Sequence, residues 1–206
     1  MTTTSHLVPP PDGDREPTTD SAGPAGNARR RRRRRRIVLV VVAAVALAFL
    51  GATARMFVWP PLPALPAHAD AIVELAGPGD RDAVTVALAE QHVAPVVIQS
   101  TLPGDARSGT CLPPTPGVRI ECFAPDPATT RGEARYIGER AAAGHWGSVV
   151  LVTTPDHAWR ARLRVQRCFD GRVYVATSPL PKADWLRQIP YQWMATVKAE
   201  LLQRGC

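Results

Sequence analysis

None of the four cysteines in this 206-residue chain forms a Cys-x-x-Cys pair, and no histidines cluster at ligand spacing, so no metal site is expected. The chain has no Gly-x-Ser-x-Gly motif and no Ser, His and Asp in a triad order, which removes the common routes to acyl transfer. Positive charge is scarce where a nucleic-acid surface would need it. The formal charge is +7, from 25 basic and 18 acidic residues. Ten of the basic and four of the acidic residues lie in 1–55, which leaves 15 and 14 in 56–206, a net of +1. A nucleic-acid-binding domain carries its basicity on a folded face, so no nucleic-acid partner is expected.

Charge of either sign is absent from Ile37 to Ala54. That run of about 18 residues is near the lower limit for a helix crossing a bilayer. Arg55 can snorkel to the interface, and Met56 to Trp59 extend the apolar character. Residues 37–58 therefore read as one transmembrane helix. Arg29 to Arg36 precede it without interruption. The positive-inside rule then holds the N-terminus in the cytoplasm and puts the C-terminal part outside. The arginines also suit anionic lipid head groups. The rival reading is a cleaved signal peptide, since Ala67-His68-Ala69 has a small-x-small pattern. The apolar run is longer than a usual signal core, however, and Arg55 and several prolines separate it from that site. A signal anchor is the better reading, with the protein in the cell membrane and its folded domain extracytoplasmic.

All four cysteines, Cys111, Cys122, Cys168 and Cys206, fall on the outer side, where disulfides persist. Three pairings are possible. Cys111–Cys122 closes a short loop and Cys168–Cys206 ties down the C-terminus, and these are the favoured pairs; free buried thiols are the alternative.

Composition divides the chain into a disordered basic tail over 1–36, the membrane helix over 37–58, a stiff Pro-rich linker over 59–69 that spaces the domain from the bilayer, and a folded domain over 70–206. Within the domain, strand and helix patterns alternate. Strands are expected at 71–75, 95–99, 118–122, 148–153 and 173–176. Helices are expected at about 81–92 with Asp80 as N-cap, from a Thr130-Arg131-Gly132-Glu133 capping box, from Thr154-Pro155 to about Phe169, and over 182–204 with a break before Pro190. Ser148 to Thr153 is nearly all apolar, as suits a central parallel strand. The expected fold is α/β, a three-layer Rossmann-like parallel sheet preceded by one transmembrane helix.

In such sheets ligands bind at the carboxyl edge of the strands. Loops 76–80, 99–108 and 153–157 share that rim. Gly77-x-Gly79 resembles a phosphate-binding turn, but the third glycine of the dinucleotide fingerprint falls at Asp82, so no cofactor is expected. The glycines also serve as plain turn residues. Thr154, Asp156, His157 and Arg160 open a helix at the rim, and His157 and Arg160 share a face. A histidine poised near neutrality and a guanidinium suit a phosphate or carboxylate. The competing reading makes Arg160, Arg164 and Arg167 a solvated helix face. Glu133 either closes the capping box or points into the rim, with Asp126 and Arg131 nearby.

Val149-Val150-Leu151-Val152-Thr153-Thr154, followed by His157 and Arg160-Ala161, resembles the signature of the YdcF/SanA/ElyC-like family, a domain of unknown function. Ala128 to Ala134 is similar to the family's Thr-rich turn, and Asp70 to Val73 to its opening strand. The turns after the first two strands depart from the family pattern: Glu74 to Gly79 replaces a Gly-rich turn, and Ser100-Thr101-Leu102 replaces Ser-Gly-Gly. The resemblance spans about residues 70–178. It implies a Rossmann-like fold and, for membrane-anchored members, a role in envelope integrity or peptidoglycan-precursor handling. Some soluble members bind S-adenosylmethionine, which an outer domain would rarely meet. Two functions stay open. One is binding of an anionic, phosphorylated or lipid-linked envelope group at the rim; the other is a non-catalytic interaction module using the Trp185/Trp193 helix.

Overall fold

The computed structural model describes residues 24–101 and 111–206. The chain divides into two compact units that meet between Leu47 and Ala48. Helix α1 (Pro24–Thr53) begins in the first and ends in the second, and a π-helical segment, Ala54–Val58, continues it. Together they form the one helix among the described residues that is long and apolar enough to cross a membrane. Arg29–Arg36 are helical and do not belong to a disordered tail, because arginine is a good helix former and extends a helix already nucleated by the apolar run. The rest of that tail, before Pro24, lies outside the described residues.

The second unit holds β1 (Ala71–Glu74), α2 (Arg81–Glu90), β2 (Val96–Ser100), β3 (Arg119–Phe123), α3 (Thr130–Gly144), β4 (Ser148–Thr153), α4 (Pro155–Val165), β5 (Arg172–Thr177), a 3-10 turn (Lys182–Asp184) and α5 (Trp185–Leu201). The strands form one all-parallel sheet in the order β3-β2-β1-β4-β5. This is the doubly wound order, and it reverses between β1 and β4. Side chains alternate faces along each strand. Val73, Ile98, Leu151 and Val175 pack under α3 and α4 through Ile137, Ala141, Ala161 and Val165. Ile72, Val97, Val150 and Ala176 pack under α2 through Leu88 and Ala89. The interior strands are covered on both faces, which accounts for their continuous apolar sequence.

Both cysteine pairs are closed, with Cα separations of 5.7 Å for Cys111–Cys122 and 4.9 Å for Cys168–Cys206. The second holds the chain end against α4. There Arg164 donates to the Gln203 carbonyl and side-chain oxygen at 2.6 and 2.7 Å, and Arg167 to the Ala199 carbonyl and Glu200 carboxylate at 2.8 and 2.9 Å. These arginines therefore bind the C-terminal segment and are not a solvated face.

Two further expectations change. Helix α5 runs unbroken through Pro190. The proline sits in the second turn, where it forfeits one hydrogen bond but leaves the first turn to start independently. The Pro-rich segment is not a free spacer either. Leu62 packs on the main core, and Ala69 is buried and donates its N–H to the Val93 carbonyl at 2.8 Å; Phe57, buried in the π-helical segment that rests on α4, belongs to the expected membrane helix just before it. Apolar residues interleaved with the prolines draw the segment onto the domain. Of the loop expected at 99–108, residues 102–108 lie outside the described residues.

Candidate functional site

The carboxyl ends of β1 and β4 lie side by side, with Glu74 paired to Val152. A cavity of about 770 Å³ opens at this switch point. Its walls are the β1–α2 turn (Ala76 to Pro78), the start of α3, the first turns of α4, and α5 from Arg187 to Lys198.

The start of α3 is capped one residue earlier than the sequence pattern predicts. Thr129 is the N-cap, and its Oγ1 accepts from the Gly132 N–H at 3.3 Å. The capping-box position then falls on Gly132, so Glu133 does not cap the helix. It reaches across to the β1–α2 turn, where Oε1 accepts the Ala76 N–H at 2.9 Å. Burial pushes the Glu133 carboxyl above its usual value of 4.5, against the opposing pull of the Ala76 N–H, the Ser100 hydroxyl, Arg81 and Arg160.

The earlier cap also releases the Thr130 hydroxyl. It accepts from Arg160 Nη1 at 2.8 Å and lies 3.3 Å from His157 Nε2, while His157 Nδ1 lies 3.0 Å from Thr153 Oγ1. Thr130 accepts from Arg160 with one lone pair and its own proton is free to point at Nε2, an arrangement that goes with the imidazole proton on Nδ1, toward Thr153; the direction of both contacts follows the tautomer. Burial, then Arg160 and Arg81, holds His157 well below its ordinary value of 6.5. The expected protonation switch near neutral pH is therefore absent: His157 is a neutral, buried link between α3 and β4.

Arg160 donates through Nε to Gln192 Oε1 at 3.0 Å, and Gln192 Nε2 donates to Asp156 Oδ2 at 2.9 Å. Its guanidinium lies 5.7 Å from the centre of the Tyr191 ring. Burial lowers the Arg160 value, while Tyr191, Glu133 and Asp156 raise it. No hydrogen bond of Nη2 occurs among the described residues. Thr154 caps α4 by position alone and makes no side-chain cap bond; its Oγ1 meets Arg81 Nη2 at 3.5 Å.

Arg81 is buried and gathers the turn around itself. It donates to the carbonyls of Leu75 and Ala76 at 2.5 and 2.6 Å and to Pro78 at 3.1 Å. Gly77, at φ +132°, lines the cavity, and a Cβ there would sit 2.9 Å from Arg81 Nη2. Gly79, at φ +96°, is not in the cavity. A Cβ there would sit 2.7 Å from Thr154 Cγ2, so this glycine permits close packing of the turn on α4.

The cavity thus unites His157, Arg160, Glu133, Thr154, Asp156 and Gly77, and excludes Gly79 and Asp126. Arg81, Arg187, Gln192 and Lys198 join it without having been expected there. A signal for α5 was present: Gln188, Gln192 and Thr196 recur at four-residue spacing, which puts polar groups on one helix face. Arg81, Arg131, Arg160, Arg164, Arg187 and Lys198 face only two carboxylates, Glu133 and Asp156. Among the described residues, no group of His, Cys, Asp and Glu is placed to hold a metal ion.

Fold and site together define a doubly wound α/β domain with a cation-lined cavity at its switch point. No protein-family model, curated protein or solved structure matches the chain.

Proposed function

We propose that this cavity binds an anionic group, phosphorylated or lipid-linked, on a domain that α1 anchors at the outer face of the cell membrane, in a role in envelope integrity or precursor handling. The observation that carries the reading is the charge of the cavity wall, six cations against two carboxylates. Helices α3 and α4 add their N-termini to the same space, with the favourable dipole ends that anions seek. The closed disulfides support an oxidising compartment. The likeness of Val149–Ala161 to the YdcF/SanA/ElyC-like signature supports the same role.

The test is a thermal melt of the full chain in detergent against inorganic pyrophosphate and a polyprenyl phosphate. A ligand at a hundredfold excess over its Kd stabilises by about 2.7 kcal/mol, a shift of about 5–10 °C for a chain of this size. A midpoint unmoved by millimolar amounts of either probe would overturn the reading. The alternative, a non-catalytic module in an envelope complex, draws on the exposed apolar residues of α5.

A further inference from the structure

Helix α5 is inside out. Its buried positions include Gln188, Gln192 and Thr196, of which Gln188 and Gln192 line the cavity. Its exposed positions include Leu186 at 90% exposure, Met194 at 75%, Leu201 at 62% and Val197 at 48%. At 3.6 residues per turn, these four and Pro190 fall within an arc of about 80°. A helix that turns its polar side inward and its apolar side outward is matched to apolar surroundings. The flank beside this arc carries Arg187, Lys198 and Tyr191, all three at the cavity wall.

The neighbourhood of α5 identifies those surroundings. Trp193, in the middle of the helix, stacks on Phe49 with ring centres 5.2 Å apart and meets Phe57 edge-on at 5.3 Å. Its indole Nε1 donates to Thr53 Oγ1 at 3.1 Å. Phe49 and Thr53 belong to the last turns of the uncharged run that ends at Ala54. At 1.5 Å per residue, Phe49 lies about 8 Å before that end. If the run spans a bilayer, a residue stacked on Phe49 cannot be far from the outer head groups, where tryptophan is preferred. Trp59, also exposed, sits at the same end of the run.

We infer that α5 is an interfacial helix: its Leu186–Met194–Val197–Leu201 face is immersed in the outer leaflet of the membrane that α1 spans. Arg187 and Lys198 then lie at head-group level, and the cavity opens beside the lipid surface. Juxtamembrane cations at that level attract anionic lipid. The inference rests on the membrane anchoring proposed above and is independent of what the cavity binds.

The experiment uses the full chain in nanodiscs of phosphatidylcholine and phosphatidylglycerol, with photoactivatable p-benzoylphenylalanine at single positions. Met194→p-benzoylphenylalanine is the probe, Leu47→p-benzoylphenylalanine reports the span, and Glu90→p-benzoylphenylalanine, at an exposed position on α2, is the aqueous control. Mass spectrometry after illumination is expected to find acyl-chain adducts at 194 and 47 and none at 90. Adducts at 47 but not at 194 would overturn the inference and leave the anchor standing. Peptide adducts at 194, from a second copy or another protein, would assign the face to a protein partner and equally overturn it. No lipid adduct at 47 would remove both the anchor and the interfacial helix. Since no ligand or activity enters the readout, failure of the anion-binding reading leaves the result unaffected.

Discussion

Arg160 separates a binding role from a structural one, provided the substitution is chosen with its surroundings in view. If Arg160 served only to grip an anion, replacement by alanine should spare the fold; a core or capping role predicts lost stability. The structure predicts the latter. Arg160→Ala breaks bonds to two partly or wholly buried acceptors, Gln192 Oε1 at 3.0 Å and Thr130 Oγ1 at 2.8 Å. Gln192 Oε1 is left without a partner, since Gln192 bonds Asp156 through Nε2, while Thr130 Oγ1 keeps its contact with His157. With about 1–2 kcal/mol for each broken bond, the loss is about 2–4 kcal/mol, or a fall in Tm of about 5–15 °C for a chain of this size. Alanine would thus confound instability with lost function. Arg160→Lys is the sharper perturbation. It keeps the charge but replaces a planar fork with a point donor, which cannot hold Gln192 and Thr130 and still present a nitrogen to a ligand. If Nη2 donates to a bound phosphate, its loss costs about 1.5–3 kcal/mol, a weakening of about 10- to 150-fold. Calorimetric titration of the full chain with pyrophosphate, beside the thermal midpoint of the unliganded variant, reads the two effects separately. Unchanged affinity in Arg160→Lys, with a lowered midpoint, would refute the assignment and leave Arg160 as a structural strut.

Two more predictions concern stability. Cys206→Ser removes the Cys168–Cys206 closure, 38 residues apart in sequence, and the chain-entropy model puts its cost at about 4 kcal/mol; denaturant melts should show it, thiol titration of the denatured wild type should find no free cysteine, and reactive thiols there would contradict the paired state. His157, with its folded value lowered, contributes stability that is complete above its ordinary value of 6.5 and is lost as pH falls below it. Each pH unit in that window should cost up to about 1.4 kcal/mol, offset in part by Glu133, whose raised value works in the opposite direction, and His157→Gln should remove the His157 part of the loss; the same change in stability between pH 7 and pH 5 in His157→Gln and the wild type would show that the imidazole is not held neutral.

Patterns that depend on neighbours along the chain were legible without a structure. The alternation of apolar strands and capped helices, the strand-like run at 148–153, and the Thr154-Pro155 helix start all report local geometry, and local geometry repeats with fixed periods. The uncharged stretch after the arginine tract is legible for the same reason. One disulfide pair was favoured for its short loop and the other because it ties down the C-terminus, and the structure closes the same two pairs. What sequence could not decide was which of two satisfied states a polar residue takes. Glu133 could complete a cap or reach the β1–α2 turn, and a shift of the cap by one residue, to Thr129, decided it. His157 reads as a near-neutral switch until its surroundings are known, because its titration is set by burial, by Arg160 one turn on, and by Arg81, which is distant in sequence. Arg81 resembles any helix-start arginine until the turn carbonyls converge on it. The polar side of α5 likewise gains its meaning only where α4 and the cavity cover it and its apolar side stays uncovered. The sequence determined the elements and their order, because these follow from periodicity and chain connectivity. Tertiary structure decided the protonation, the partners and the membership of the site, because desolvation and long-range hydrogen bonding exist only once the elements have packed.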